Sequence, residues 1–584
     1  MRRRSHSARH AGDVMDKRLR IVQTVFFVCA LVVVGRLGVL QLLQSDEYTA
    51  MASQLRDVRR VMDAQRGVIW VREREDGSAL FPVARNVSRH LVYAVPKDIE
   101  NPQDTAARIS SLLGISLEET QAKLSKADDP YEPLQHRVSD ETRAALASLS
   151  LPGIGFQPEY AREYPEGMTF GVLTGFVQGE DDARRGQYGL EQGQDDLLRG
   201  TAGLMDVERD ARGNVIPVGR QNWEDPVHGS DLVLTIDHAI QYRACSRLDA
   251  AVRQHGAKGG ALIVLDPMTG AIRAMCSSPR YDPNAYGSVS DMGVFANKAV
   301  SDAWEPGSIF KAITMAGALE FGAVVPDTTY TDIGSVTLDT ETIKNADNKV
   351  YGVQTMTGVL AQSINTGAVF AQQAMGKTAF KEIVERFGFG ASLNIGLPAE
   401  HAGTLASLDY AGDIFAATAS FGQGITVTPL QMASAFGSIA NGGVLMQPYL
   451  IEEVRRADGT VTRTAPHEIR RVISSRTATL LRAMLVTVIE EGHGKRAGVK
   501  GFWVAGKTGT AQVAAAGARG YDPSKTIGSF VGFGPAASPR FVVLARIDEP
   551  KTVQFAESTA APLFGEVADF LFQYYRIQPE RQVE

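Results

Sequence analysis

The hydrophobic positions divide the chain into three stretches of different pattern. Ile21 to Leu43 is apolar except for Gln23, Thr24, Arg36 and Gln41. A run of that length, wound as a helix, crosses the hydrocarbon core of a bilayer, and it predicts one transmembrane helix. Residues 44–228 alternate charged stretches with short β-like runs and Gly/Pro turns, interrupted at about 103–150 by a helix-rich insert. That pattern predicts a β-rich pedestal. From 229 onward it changes again. A helix near 238–254 leads to paired strands at 260–266 and 271–277, then a helical block. Strands follow at 502–513, 528–534 and 540–548, and a last helix at about 559–575. Strands at both ends of a helical middle predict an α/β (α+β) domain with one antiparallel sheet flanked by helices on both faces.

Length and charge refine this picture. A chain of 584 residues holds more than one domain, and a formal charge of −6 gives no reason to expect nucleic acid. The charge is uneven. Residues 2–20 carry Arg2, Arg3, Arg4, Arg9, Lys17, Arg18 and Arg20 against Asp13 and Asp16. A basic tail before an apolar span predicts the N-terminus inside the cell and the remainder outside, anchored in the cytoplasmic (inner) membrane. No Ala-x-Ala site precedes Gln44-Ser-Asp-Glu47, so the span reads as an uncleaved anchor. Arg36 costs free energy there unless it snorkels outward or faces a partner helix. The predicted plan is a cytoplasmic tail (1–20), an anchor (21–43), a pedestal (44–228) and a C-terminal domain (229–584).

The three cysteines, Cys29, Cys245 and Cys276, are not a disulfide framework. Cys245 and Cys276 could pair outside the cell, but the reading favours buried free thiols. No metal-ligand spacing is seen, and Gly259-Gly260 precedes a strand and not a helix, so it is no phosphate loop. Neither a metal nor another cofactor is expected.

The candidate chemistry lies in three short motifs in order: Ser308-Ile-Phe-Lys311, Ser363-Ile-Asn365 and Lys507-Thr508-Gly509. A serine hydroxyl needs a base to become a nucleophile. Residues three apart on a helix share a face. Glu305-Pro306-Gly307 reads as a turn, so Ser308 is predicted to open a helix with Lys311 one turn on. A lysine is a base only when neutral, and burial beside a second cation such as Lys507 lowers its pKa. Phe502–Val513 reads as a strand with small residues where a ligand approaches the backbone.

The three motifs resemble the Ser-x-x-Lys, Ser-x-Asn, Lys-Thr-Gly set of serine acyl-transferases that react with β-lactams. The resemblance covers nearly the whole chain and is to a class B penicillin-binding protein. Arg66-Gly67-Val-Ile, Arg162-Glu-Tyr-Pro165-Glu-Gly167, Gly189-Leu-Glu191, Leu198–Gly203 and Gly229–Asp237 resemble its other motifs, and Ser420–Met432 is the longest similar string. That string is similar to the septal (cell division) branch. Two departures stand out: Trp70–Gly77 after the opening motif, and His493, which receives no role.

The resemblance implies catalytic roles for Ser308, Lys311, Ser363, Asn365 and Lys507, with the N–H groups of Ser308 and Thr510 as oxyanion hole. It implies substrate binding by Thr508, Gly509 and Thr510, with the two threonines on the substrate's terminal carboxylate. The implied activity is a peptidoglycan D,D-transpeptidase acting on stem peptides and acylated by β-lactams. It would work with a membrane-embedded glycan polymerase and other division proteins. The rivals are the elongation-specific enzyme of the same class, a D,D-carboxypeptidase or β-lactamase, and a non-catalytic β-lactam sensor. A β-lactamase needs an acidic residue to activate water, and none is evident after the second motif. A sensor needs a signalling domain that a short basic tail is not.

Overall fold

A computed structural model describes residues 7–48, 57–75, 77–126, 129–179, 184–208, 221–514 and 520–582. The chain forms two compact units. The first comprises residues 1–64 and 201–227. It holds a helix Ser7–Gly38 that runs on through a π turn at Val39–Leu43. Arg18–Leu43 within it has no buried residue and is long and apolar enough, by length and composition, to cross a membrane. The same unit holds a three-stranded antiparallel sheet, with Gly203–Glu208 between Asp57–Met62 and Gln221–Glu224.

The second unit comprises residues 65–200 and 228–584. At its centre is the predicted five-stranded antiparallel sheet. Its strands are β1 (Gly259–Leu265), β2 (Ile272–Ser278), β3 (Ala505–Ala514), β4 (Tyr521–Gly534) and β5 (Phe541–Asp548). Their spatial order is β2-β1-β5-β4-β3, antiparallel throughout. Every residue of β1 and β5 is buried, as expected for strands covered on both faces. Successive side chains serve opposite cores. Leu262, Val264 and Val543 pack with Leu248, Phe564 and Leu571 from helices His238–Gln254 and Ala560–Tyr574. Ile263, Leu265 and Leu544 pack with Ile313, Phe436 and Leu481 from the helices on the other side.

Cys245 and Cys276 are not the free thiols expected from the sequence; they form a disulfide, with Cα atoms 5.3 Å apart. Packing of helix His238–Gln254 on β2 brings together two residues that spacing alone does not relate.

Around this domain a mixed sheet gathers distant segments. Ile69–Arg72 pairs antiparallel with Leu80–Ala94 and parallel with Asp231–Asp237, which pairs in turn with Ile451–Arg455. The hairpin at the departure from the family pattern is therefore formed, and Arg72 clasps Glu452 at 2.8 and 3.0 Å. The helix-rich insert holds helices Pro102–Leu113, Leu117–Leu124 and Asp140–Ser148. It also holds one strand, Glu132–Val138, and a small core of Ile109, Leu124, Leu134 and Leu146.

Three of the sequence motifs meet in one buried ion cluster. Glu191 is fully buried, with Arg66 Nε at 2.5 Å from one carboxylate oxygen and Arg162 Nε at 2.7 Å from the other. Arg66 also reaches Asp195 at 2.8 Å. Burial opposes ionisation of Glu191, but the two guanidinium groups overcome it and hold the carboxyl below its ordinary range.

Candidate active site

Ser308 lies on a tight 3₁₀ turn, Gly307–Phe310, that runs into the buried helix α1 (Lys311–Glu320). The expected helix start is thus shifted by one turn, because Pro306 and the left-handed Gly307 (φ 59°) bend the chain sharply. Ser308 is half-buried. Among the described residues no group takes a hydrogen bond from its hydroxyl.

Lys311 follows one turn later and is 1% exposed. Its Nζ lies 2.5 Å from the Ser363 carbonyl and 3.3 Å from Ser363 Oγ. Lys507, fully buried on β3, donates to the same Oγ at 2.9 Å and to the Thr508 carbonyl at 3.0 Å. Ser363 itself sits between helices Met356–Ala361 and α2 (Asn365–Met375), in the left-handed region at φ 56°. A β-carbon costs free energy there, and the conformation turns both Ser363 oxygens to the lysines. Asn365, the first residue of α2, is anchored by its Nδ2 to the Lys344 carbonyl at 2.9 Å.

Neither lysine pairs with a carboxylate among the described residues. Burial, aided by the Lys507 charge, holds Lys311 well below the usual lysine range. Burial lowers Lys507 to about 7. Two buried amines that share one hydroxyl cannot readily both carry a proton.

Strand β3 runs beside the Ser308 turn. A Cβ on Gly509 would stand 3.0 Å from the Ile309 nitrogen, so glycine is what permits the approach. A Cβ on Gly307 would stand 3.1 Å from the Thr510 carbonyl oxygen, which puts the main chains of Ser308 and Thr510 side by side. Thr508 is 7% exposed. The Thr510 hydroxyl accepts from Ala556 N at 3.1 Å. The structure thus brings together the serine turn, Ser363, Asn365, Lys507 and the Thr508–Thr510 edge. His493 stands apart from these contacts, with Nδ1 at 3.1 Å from Glu557.

Sequence reasoning missed what holds the turn. The string Ser420–Met432, noted only for its similarity, packs directly against it. Thr314 Oγ1 donates to the Ser420 carbonyl at 2.6 Å, and Gly307 N to the Gly422 carbonyl at 3.1 Å. Trp304 and Val427 exchange two backbone hydrogen bonds of 3.0 Å. Glu305 was also missed. It accepts from Gly424 N at 3.0 Å and from the Tyr521 hydroxyl at 2.8 Å, and burial raises its carboxyl despite them. Gly422 and Gly424 in one short string were the available signal, because paired glycines mark backbone crowding. Among the described residues no cluster of His, Cys, Asp and Glu could hold a metal ion.

Comparison with known proteins agrees along the chain. Residues 260–569 match the penicillin binding protein transpeptidase domain, and residues 61–234 the penicillin-binding protein dimerisation domain. Stage V sporulation protein D of Bacillus subtilis is 33% identical over 567 residues, covering 96% of this chain and 86% of that protein. The "probable peptidoglycan D,D-transpeptidase PbpC" of Pseudomonas aeruginosa is 30% identical over 96% of both chains. The crystal structure of penicillin binding protein 3 from Mycobacterium tuberculosis, complexed with aztreonam, superposes with a TM-score of 0.69. It is 27% identical and covers 90% of this chain and 99% of that one.

Proposed function

The chain belongs to the class B penicillin-binding proteins of the peptidoglycan D,D-transpeptidase family, and we propose that it works through a Ser308 acyl-enzyme. The observation that carries this is the meeting of two buried lysines on Ser363 Oγ, with Lys311 one turn from Ser308; among the described residues neither lysine pairs with a carboxylate and the Ser308 hydroxyl has no hydrogen-bond partner. Neutral Lys311 takes the Ser308 proton as Oγ attacks the D-Ala-D-Ala carbonyl. The main-chain N–H groups of Ser308 and Thr510 receive the oxyanion. The C–N bond breaks, and the proton passes through Lys311 and Ser363 to the departing D-alanine. An amine of a second stem peptide then displaces Ser308, forming the cross-link. Lys507, Thr508 and Thr510 hold the donor's terminal carboxylate, Gly509 keeps the edge open, and Asn365 holds a substrate amide. Penicillin, entering the same site, is expected to leave a long-lived adduct. Mass spectrometry of the digested protein should find it on the peptide containing Ser308. An adduct on another residue, or one lost within seconds, would favour another nucleophile or a hydrolase.

The anchor and the basic tail support a single crossing with residues beyond Ser45 outside the cytoplasmic membrane. Protease added to intact spheroplasts should then digest nearly the whole chain, and full protection would reverse the orientation. The same reading places the work at the division septum, beside a membrane-embedded glycan polymerase and other division proteins. The dimerisation-domain region and Arg36 are the surfaces proposed for that contact. The support for division over elongation is the resemblance of Ser420–Met432. Depletion in a rod-shaped host is expected to give filaments without septa; rounded cells would move the protein to the elongation branch.

A further inference from the structure

Five residues form one row across the central sheet. The strand register pairs Gly509 with Ser529, Ser529 with Arg546, Arg546 with Ala261, and Ala261 with Ser277. Directly paired residues share a face. Across that face lies the segment that runs from Asn297 to Ser308. At β2, Ser277 Oγ accepts from Lys298 N at 3.1 Å. At β3, Gly509 makes room for Ile309. Between these ends, on β5, stands Arg546.

The Arg546 side chain is 3% exposed and every part of its fork is engaged. Nη2 donates to Asp302 Oδ2 at 2.9 Å, Nη1 to the Asp302 carbonyl at 3.2 Å, and Nε to Asp548 at 2.7 Å. The guanidinium carbon sits 4.9 Å from the centre of the Trp304 ring. Lys298 closes the network on Asp548 at 3.3 Å. The strand is otherwise apolar around it, with Leu544, Ala545 and Ile547 buried. For stability alone, well-packed apolar residues serve such a place at least as well as buried charges. What a guanidinium adds is direction: a rigid fork that fixes several groups at once.

We propose that Arg546 is a positioning residue for the acyl transfer, fixing Asp302 and Trp304 so that the turn after them presents the Ser308 hydroxyl at the correct place between Lys311 and β3. The inference rests on Ser308 being the nucleophile. Misplacement of a reacting group by about 1 Å costs on the order of 10²-fold in rate, and the segment has no other charged anchor on β5 than Arg546 and Asp548.

The test compares Arg546→Met, Arg546→Lys and Asp302→Asn with the wild type, using a fluorescent penicillin. For each, the fraction of molecules that can be labelled is titrated first. The acylation rate per competent molecule and the noncovalent affinity are then measured. Loss of fold lowers the competent fraction and leaves the rate per molecule alone. Arg546→Met is expected to acylate about 10- to 100-fold more slowly per molecule, with little change in noncovalent affinity. Arg546→Lys should recover part of the rate, since an ammonium can serve one carboxylate and not the whole set. Asp302→Asn, whose side chain is 38% exposed, should slow the reaction in the same way. Combined with Arg546→Met it should add nothing further. Wild-type rates per molecule in both Arg546→Met and Asp302→Asn would overturn the inference. If Arg546→Met fails to fold, Asp302→Asn decides alone. Ser308→Ala is the control: labelling that persists in it removes the nucleophile assignment, whereas Ser308-dependent labelling at unchanged rates removes only the role of Arg546.

Discussion

Lys311→Met is expected to be acylated by penicillin about 10²–10⁴-fold more slowly than the wild type, the range that a general base supplies, while melting no lower at pH 7. The two halves of this result have one cause. Lys311 is buried beside a second amine, and its pKa in the folded chain is depressed far below the unfolded value of 10.5. Between those two values the unfolded chain binds more protons than the folded one, so stability rises with pH and is reduced at neutrality. Methionine has similar length and no proton to lose, so it removes that cost along with the base. The wild-type rate should rise with pH as Lys311 loses its proton, then fall as Lys507 deprotonates near its value of about 7. The variant should lack the rising limb. Stopped-flow labelling across pH, with thermal melts alongside, measures both. A Lys311→Met protein that is acylated at the wild-type rate would move the base elsewhere, with Lys507 as the remaining candidate.

Part of the grouping of these side chains was legible in the sequence because it is local. Ser308 and Lys311 are one turn apart, and Ser363 and Asn365 flank a single residue, so spacing alone says what can cooperate. Alternation was enough for the sheet: strands read at 260–266 and 271–277 are found at Gly259–Leu265 and Ile272–Ser278. The contacts that spacing cannot show are those set by tertiary register. Cys245 meets Cys276 only because a helix packs on β2. Glu305 meets Tyr521 only because the β3–β4 hairpin returns over the Ser308 turn. Arg546 reaches Asp302 only through the register of β5. A lone arginine in the apolar run Phe541–Asp548 was nonetheless a visible anomaly, and a buried charge in a central strand asks for partners.

Buried charge also joins the early motifs, where Glu191 holds Arg66 and Arg162. Glu191→Gln is expected to cost about 3–5 kcal/mol of stability, the usual penalty for breaking a buried ion pair from one side. The amide keeps the shape of the carboxylate but leaves the guanidinium of Arg162, 6% exposed, facing a neutral group. Arg66 retains Asp195, so the loss falls mainly on Arg162. The pH dependence has a definite sign. The folded pKa of Glu191 lies below its ordinary 4.5, so its contribution is present in full above that value and disappears as pH falls through the folded pKa. Wild-type and variant stabilities should therefore converge in acid and separate above about pH 5. Urea denaturation followed by tryptophan fluorescence at a series of pH values gives the comparison. The cluster does not touch Ser308, Lys311, Ser363 or Lys507, so molecules of Glu191→Gln that remain folded should take up penicillin at the wild-type rate. A variant as stable as the wild type at pH 7 would mean that Arg162 finds another partner, and that the three motifs are joined by packing and not by charge.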